Sequence, residues 1–323
     1  MRIEIWADVV CPWAYIGKRR LERALAGEGA EVVWRPYRID PSAPAESVPL
    51  EDALAEPGAE EMLSACAPGL TPQDNRDRVA LIAAEEGLGP SWGAAWRADT
   101  ADAHRLIALA FEEGGAELQD AVVEGVLRAH FVEARNIGSG EVLADVAREA
   151  GFSAGPRLLE AGAGGELVRE LLLTGKAMGV KTSPTFVVRG RALAGAQSSE
   201  AIVEFVRYAE RQEVRELPEE VERLRRAESL LELRDPLGAL VLLRPLLESQ
   251  GEDRGVRSLA ARAYFASAQL GRATRELERL VAENPDDSYA RHLLGRTLQR
   301  RGLDGEAAAH LSLASVMTPG YTG

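Results

Sequence analysis

The sequence predicts an α/β domain interrupted by a long helical stretch, followed by a separate all-α domain of repeated helix pairs. Three observations carry this. Ile3–Ala7 and Ala30–Tyr37 are short apolar segments on either side of a run with helical spacing, the pattern of a βαβ unit. From about residue 50 to residue 178 no strand pattern occurs, and apolar residues return at helical intervals. Beyond Glu219 the sequence repeats with a period of 34 residues. A chain of 323 residues is long for one core, so two domains are expected, over 1–215 and 219–323.

The first strand runs straight into Asp8-Val9-Val10-Cys11-Pro12-Trp13-Ala14-Tyr15-Ile16-Gly17-Lys18. Apolar residues at Tyr15, Ile16, Leu21, Ala24 and Leu25 have helical spacing. Cys11 therefore falls at a strand-to-helix junction, and Pro12 sits in the first turn, where its missing N–H costs nothing. A thiol there faces unpaired helix N–H groups and the positive end of the helix dipole, so an exposed, thiolate-prone cysteine is expected. Lys18, Arg19 and Arg20 read as a solvated basic face that adds positive potential near the site. Trp13 reads as a cover over the site that cannot stabilise a thiolate as a cation would.

Helical periodicity recurs over 73–86, 101–113, 116–135, 141–150 and 166–178, with Gly- and Pro-rich breaks between. His104 and His130 lie within these patterns and are expected to be satisfied in the helical layer rather than to act as bases. Thr185–Val188 and Ala192–Ala194 read as a hairpin through Arg189-Gly190-Arg191, followed by an amphipathic helix from about 199 to 212.

The segment from Asp8 to Lys18 resembles the active-site stretch of the DsbA-like, FrnE-type branch of thioredoxin-fold oxidoreductases, whose pattern is D-V-V-C-P-W-C-Y-I-G-K. Trp34-Arg35-Pro36-Tyr37, Ala103-His104-Arg105-Leu106 and Leu127–Phe131 extend the likeness, and Ala55–Leu70, which holds Cys66, matches poorly. The resemblance implies a thioredoxin fold with a helical insertion over about 50–178. It also implies that Cys11, Pro12, Trp13 and Ala14 form the active-site motif, with Cys11 as the nucleophile. Gly179–Phe186 resembles the cis-proline segment of such folds, which implies a cis Ser183–Pro184 bond facing Cys11 and a substrate-binding role for Ser183, Pro184 and Thr185. A bend there leaves backbone groups free to pair with an extended substrate strand.

Ala14 stands where the family has its resolving cysteine. Cys11 is still able to attack a disulfide but has no neighbour to release the mixed disulfide. Three outcomes follow: monothiol exchange completed by a small thiol such as glutathione, a glutathione-dependent isomerase-like activity, or a redox-silent co-chaperone or adaptor. The reading leans toward an enzyme of protein thiol–disulfide exchange with weak dithiol activity. Cys66 as a distant resolving thiol has nothing in the sequence to bring it near Cys11.

In the tail, Ala239, Ala273 and Ala307 keep the 34-residue step, as do Leu243, Leu277 and Leu311, and Ala227, Ala261 and Gly295. Small residues where two helices cross, with Pro285 and Pro319 closing the units, match the tetratricopeptide pattern, with units near 220–253, 254–287 and 288–321. By consensus spacing Arg262, Phe265, Tyr289, His292, Arg296 and Arg300 point into a groove, and clustered arginine suits an acidic peptide. The last unit has no evident polar cap, so a second copy of the chain is a candidate to cover it.

The net charge of −13, carried almost wholly by the first domain, excludes a basic nucleic-acid interface. No apolar run reaches the roughly 18 residues of a membrane span. Met1-Arg2 leads directly into the first strand with no secretory pattern, and the chain has 2 cysteines, so a cytoplasmic protein is expected. No His or carboxylate pair has metal spacing beside a cysteine, so neither a metal nor a bound cofactor is expected.

Overall fold

The computed structural model describes residues 1–27, 29–56, 69–213 and 217–321. Contacts divide the chain into two compact units: Met1–Gly175 with Val180–Val214, and Lys176–Gly179 with Arg215–Gly323.

In the first unit, β1 (Arg2–Ala7) is followed by α1 (Pro12–Ala24) and β2 (Glu31–Pro36). After the helical insertion come the hairpin strands β5 (Thr185–Val188) and β6 (Arg191–Ala194). The four form one mixed sheet in the order β2-β1-β5-β6. β1 pairs parallel with β2, placing Ile3 beside Val32 and Ile5 beside Trp34. On its other edge β1 runs antiparallel to β5, with Ile5 beside Phe186 and Trp6 beside Thr185. Because β1 is central and covered on both faces, Ile3, Ile5, Trp6 and Ala7 are all buried rather than alternating. The hairpin turns at Arg189 and Gly190, both with positive φ (50° and 75°), a conformation glycine adopts without penalty.

The insertion supplies α2 (Leu50–Ala55), α3 (Pro72–Glu85), α4 (Ala101–Phe131), α5 (Gly140–Glu149), α6 (Gly155–Glu160) and α7 (Gly165–Ala177). The two helices expected over 101–113 and 116–135 are one element with a break at Gly114 and Gly115, where Gly115 has φ of 66°. One expectation needs correction: the stretch is not free of strand. β3 (Val48–Pro49) and β4 (Trp96–Arg97) form a two-stranded ladder. Two residues per strand are too few to leave a period-two signal. α4 also satisfies the exposed edge of β2. Buried Gln119 accepts from the Trp34 N–H at 2.8 Å and donates to the Trp34 carbonyl at 3.0 Å, doing the work of a missing strand. Helix α8 (Ser199–Glu210), capped by the Ser198 hydroxyl, packs against α1 and the hairpin.

The second unit contains α9 (Glu219–Glu232), α10 (Pro236–Ser249), α11 (Arg254–Ala266), α12 (Leu270–Glu283), α13 (Ser288–Arg300) and α14 (Asp304–Met317). They form a tetratricopeptide-type stack of helix pairs. The small residues of the repeat mark the crossings: Ala227, Ala239, Ala261, Ala273 and Ala307 are fully buried. A Cβ on Gly295 would lie 2.6 Å from the Leu311 side chain, so only glycine allows that approach. Asp235, Asp253 and Asp287 cap three of the six helices, each accepting a backbone N–H three residues on.

Candidate active site

Cys11 is the N-cap residue of α1, with extended backbone and Pro12 at the first helical position. Its N–H donates to the Asp8 carbonyl at 3.0 Å, and its own carbonyl accepts from Ala14 N–H at 2.9 Å. The tight turn aims the sulfur at the β5 entry loop. Sγ lies 3.3 Å from the main-chain oxygen of Ser183, and the Ser183–Pro184 bond is cis. The loop is braced on all sides. Ser183 Oγ accepts from the Asp8 N–H at 2.9 Å, and the Thr185 hydroxyl donates to the Thr182 carbonyl at 2.8 Å. The Pro184 carbonyl accepts from Gly195 N–H at 2.8 Å.

Two expectations about this cysteine are corrected. It is buried, at 5% exposure, inside the core that includes Val9, Ala14, Tyr15 and Ile16. Burial pushes its pKa above the ordinary cysteine value. Hydrogen bonds from the Ser183 hydroxyl and the Ala14 and Trp13 N–H groups draw it part of the way back, and the Asp8 charge adds to the rise. The helix N-terminus is therefore present, but desolvation outweighs it.

The basic face is also spent. Lys18 is buried and held by Glu22, by Asp120 at 3.1 Å and by Glu124 at 3.2 Å. Arg19 pairs with Glu22 and Glu124, and Arg20 with Glu86 at 2.7 Å and the Ala196 carbonyl at 2.6 Å. These cations neutralise carboxylates from α1, from the C-cap of α3 and from α4 instead of lending the site a positive field.

Around the motif, Trp13 is half-buried and the Arg78 guanidinium of α3 lies 5.6 Å over its ring, so a cation does reach the site cover. Trp92 and Phe131 stack at 4.9 Å, with Tyr15 at 6.1 Å from Trp92. His104 is buried and satisfied, its Nε2 lying 3.0 Å from the Tyr37 carbonyl and 3.3 Å from Asp8 Oδ1. His130 departs from expectation: its Nδ1 is buried with no hydrogen-bond partner among the described residues. Burial pushes its pKa down to about 4, which keeps the ring neutral at physiological pH. Cys66 lies outside the described residues. Sequence reading missed Asp8, Tyr37 and Arg78 as site residues. Only Asp8 left a usable signal, an acid directly after the first strand and three residues before the cysteine.

In the repeat unit the six predicted groove residues are partly paired among themselves. Arg262 bonds Glu228 at 3.0 Å. Arg300 donates to the Phe265 carbonyl at 2.9 Å and lies 4.7 Å over the Phe265 ring. His292 stacks on Tyr321 at 4.5 Å, and Tyr289 is 40% exposed. Arg296 is exposed and has no ion-pair partner among the described residues. Among the described residues no cluster of three or more His, Cys, Asp or Glu could hold a metal ion, and no helix is long and apolar enough to cross a membrane.

A cysteine at a helix N-cap facing a cis-prolyl loop across a β-α-β…β-β-α sheet defines the class of thioredoxin-fold proteins. Residues 2–207 match the DSBA-like thioredoxin domain, and residues 230–297 match the tetratricopeptide repeat. The chain belongs to the DSBA-like thioredoxin family and carries a tetratricopeptide tail. It is similar to the crystal structure of a probable DsbA oxidoreductase from Streptomyces coelicolor, at 30% identity and a TM-score of 0.56, over 68% of this chain and 94% of that one. A cytosolic disulfide reductase, DsbM, from Pseudomonas aeruginosa aligns at 19% identity and a TM-score of 0.40, over 65% of this chain and 95% of that one. The uncharacterized protein YwbO of Bacillus subtilis (strain 168) is 35% identical over 52 residues, 16% of this chain; the match spans about a quarter (26%) of YwbO.

Proposed function

We propose that the thioredoxin-fold unit carries out monothiol–disulfide exchange at Cys11, and that the repeat unit recruits the protein or peptide partner. The carrying observation is the 3.3 Å approach of Cys11 Sγ to the Ser183 carbonyl, beside the cis-proline loop. A substrate strand entering that loop brings its disulfide to the sulfur. Sγ attacks one substrate sulfur, the S–S bond breaks, and the proton from Cys11 ends on the departing thiolate. The products are a Cys11 mixed disulfide and one substrate thiol. With Ala14 in the second position, an external small thiol of the glutathione class attacks that mixed disulfide and returns Cys11 to the reduced state. Such a co-substrate visits and leaves; no resident cofactor takes part. The scarcity of cysteine suits a reducing compartment.

Arg296 together with Arg262 supports an acidic segment as the partner of the repeats. The exposed stripe Leu313, Val316 and Met317 on α14 supports self-association of the chain.

The test is to mix reduced protein with glutathione disulfide and measure intact mass. A gain of one glutathionyl group that vanishes in Cys11→Ser supports the reading. An unmodified Cys11 ends it.

A further inference from the structure

Trp13 stands in the first turn of α1, two residues after Cys11, and its N–H is one of the groups hydrogen-bonded to the cysteine sulfur. The Arg78 guanidinium of α3 lies 5.6 Å over the Trp13 ring. The helix that presents it is anchored on both sides of the contact. Val79 and Ala83 are buried in the core that also holds Cys11 and Ala14. Glu86, the C-cap of α3, pairs with Arg20 at 2.7 Å and with Arg23, both from α1. Arg78 is therefore carried on a fixed scaffold, and its position beside the first turn of α1 is set by packing.

Other cations around the motif are neutralised. Lys18, Arg19, Arg20 and Arg23 pair with carboxylates, as do Arg38 with Asp99 at 2.7 Å and Arg97 with Asp40 at 2.9 Å. Arg78 is exposed, and no carboxylate among the described residues pairs with it. In a chain of net charge −13 carboxylates are plentiful. An arginine beside the reactive sulfur that has none keeps its N–H fork for a ligand. On the cis-proline loop, Lys181 is likewise exposed two residues before Ser183, with its carbonyl held by the Tyr37 hydroxyl at 2.9 Å and no carboxylate partner among the described residues. Both segments that meet at Cys11 thus present a cation to an arriving anion.

We propose that Arg78 is a specificity-determining residue for the small thiol: its guanidinium binds a carboxylate of a glutathione-class molecule beside the Trp13 ring. This deepens the monothiol reading and rests on it. A guanidinium and a carboxylate form paired, charge-assisted hydrogen bonds. Contact with the indole restrains a flexible side chain beforehand, so less freedom is lost when the ligand arrives. Glutathione carries a carboxylate at each end and its thiol between them, so holding one end over Trp13 keeps the sulfur near Cys11. Its thiolate attacks the substrate sulfur of the mixed disulfide, and a new S–S bond joins the small thiol to the substrate. The electron pair of the broken bond leaves on Cys11 Sγ, which takes up the proton the small thiol gave up.

The experiment uses full-length protein with Cys66→Ser, so that Cys11 is the single sulfhydryl. Its modification is timed with anionic glutathione disulfide, neutral bis(2-hydroxyethyl) disulfide and cationic cystamine. Arg78→Met keeps an apolar side chain over Trp13 and removes the charge; it slows the glutathione reaction about tenfold and leaves the neutral one within about twofold of the parent. Arg78→Lys, which keeps the charge without the fork, falls between. Arg76→Met removes the same charge from the same helix and leaves all three rates unchanged. Equal slowing of all three disulfides in Arg78→Met, an unchanged glutathione rate, or the same loss in Arg76→Met overturns the assignment. S-methylglutathione has no exchangeable sulfur, and its binding is read by saturation-transfer NMR. Binding by the parent that is lost in Arg78→Met supports the anchor even where Cys11 takes up no glutathionyl group and the exchange reading itself fails. Equal binding by both proteins overturns it.

Discussion

Gly17 of α1 stands directly against Pro184: a Cβ at position 17 would lie 3.1 Å from Pro184 Cγ and 3.2 Å from the Phe186 ring. The absent side chain is what lets the cysteine helix approach the cis-proline loop. Gly17→Ala would gain up to about 1 kcal/mol of helix propensity but cost about 1–3 kcal/mol by overpacking, so a net loss is expected. A lower melting temperature together with slower mixed-disulfide formation would be the signature. Unchanged exchange would mean that the Cys11–Ser183 approach does not matter.

The pH behaviour of Cys11 follows from its burial. Its folded pKa lies above the ordinary value, so the folded state holds the proton longer than the unfolded chain does. Stability from this group is full below the unfolded cysteine pKa and falls as pH rises from there through the folded value. Alkylation by iodoacetamide should be slow at neutral pH and accelerate at a higher pH than for a cysteine peptide, measured side by side.

Ala14 is fully buried, so Ala14→Cys places a second sulfur in a packed position at a cost of about 1–3 kcal/mol. The variant should nonetheless release mixed disulfides without added thiol. Turnover of a small disulfide, followed with and without glutathione, distinguishes it from the parent, which needs the external thiol.

Lys18 tests the ion-pair layer separately from the thiol. Burial alone would lower its pKa, but Asp120, Glu22 and Glu124 outweigh that and hold it above the usual lysine value. Glu124 is correspondingly held below the usual glutamate value, its burial outweighed by Tyr15, Lys18 and Arg19. Stability from Glu124 is therefore present above the unfolded glutamate pKa and lost as pH falls through the folded one; that from Lys18 is present below the unfolded lysine pKa and lost as pH rises through the folded one. Lys18→Met leaves three carboxylates without their shared cation, and a loss of about 3 kcal/mol in urea unfolding is expected. The Cys11 titration should stay where it was.

For the repeats, a fluorescent peptide ending in consecutive glutamates should bind the full chain. Arg296→Glu should weaken it at least about tenfold in anisotropy titrations, since a like charge replaces an attractive one. Equal binding by both proteins would remove the groove from the proposal. Val316→Glu addresses the α14 stripe: light scattering should show a smaller assembly if that face pairs with a second copy.

Much of this molecule can be read without coordinates, because the signals concerned are local. Apolar spacing marks β1, α1, β5 and the six tail helices; Pro12 after Cys11 marks a helix start; a 34-residue step marks the repeats; and the absence of sulfur at Ala14 is a matter of composition alone. Tertiary structure decided the rest, because it depends on which distant segments close over a group. Cys11 looked exposed until residues 183–184 and the insertion buried it, and desolvation then reversed the expected direction of its pKa. Lys18, Arg19 and Arg20 looked like a free basic face until α4 brought Asp120 and Glu124 against them. Asp8 and His104 are 96 positions apart, and no periodicity links them. Spacing along a chain encodes the shape of each element; the partner and the local dielectric of each side chain exist only once the elements have packed.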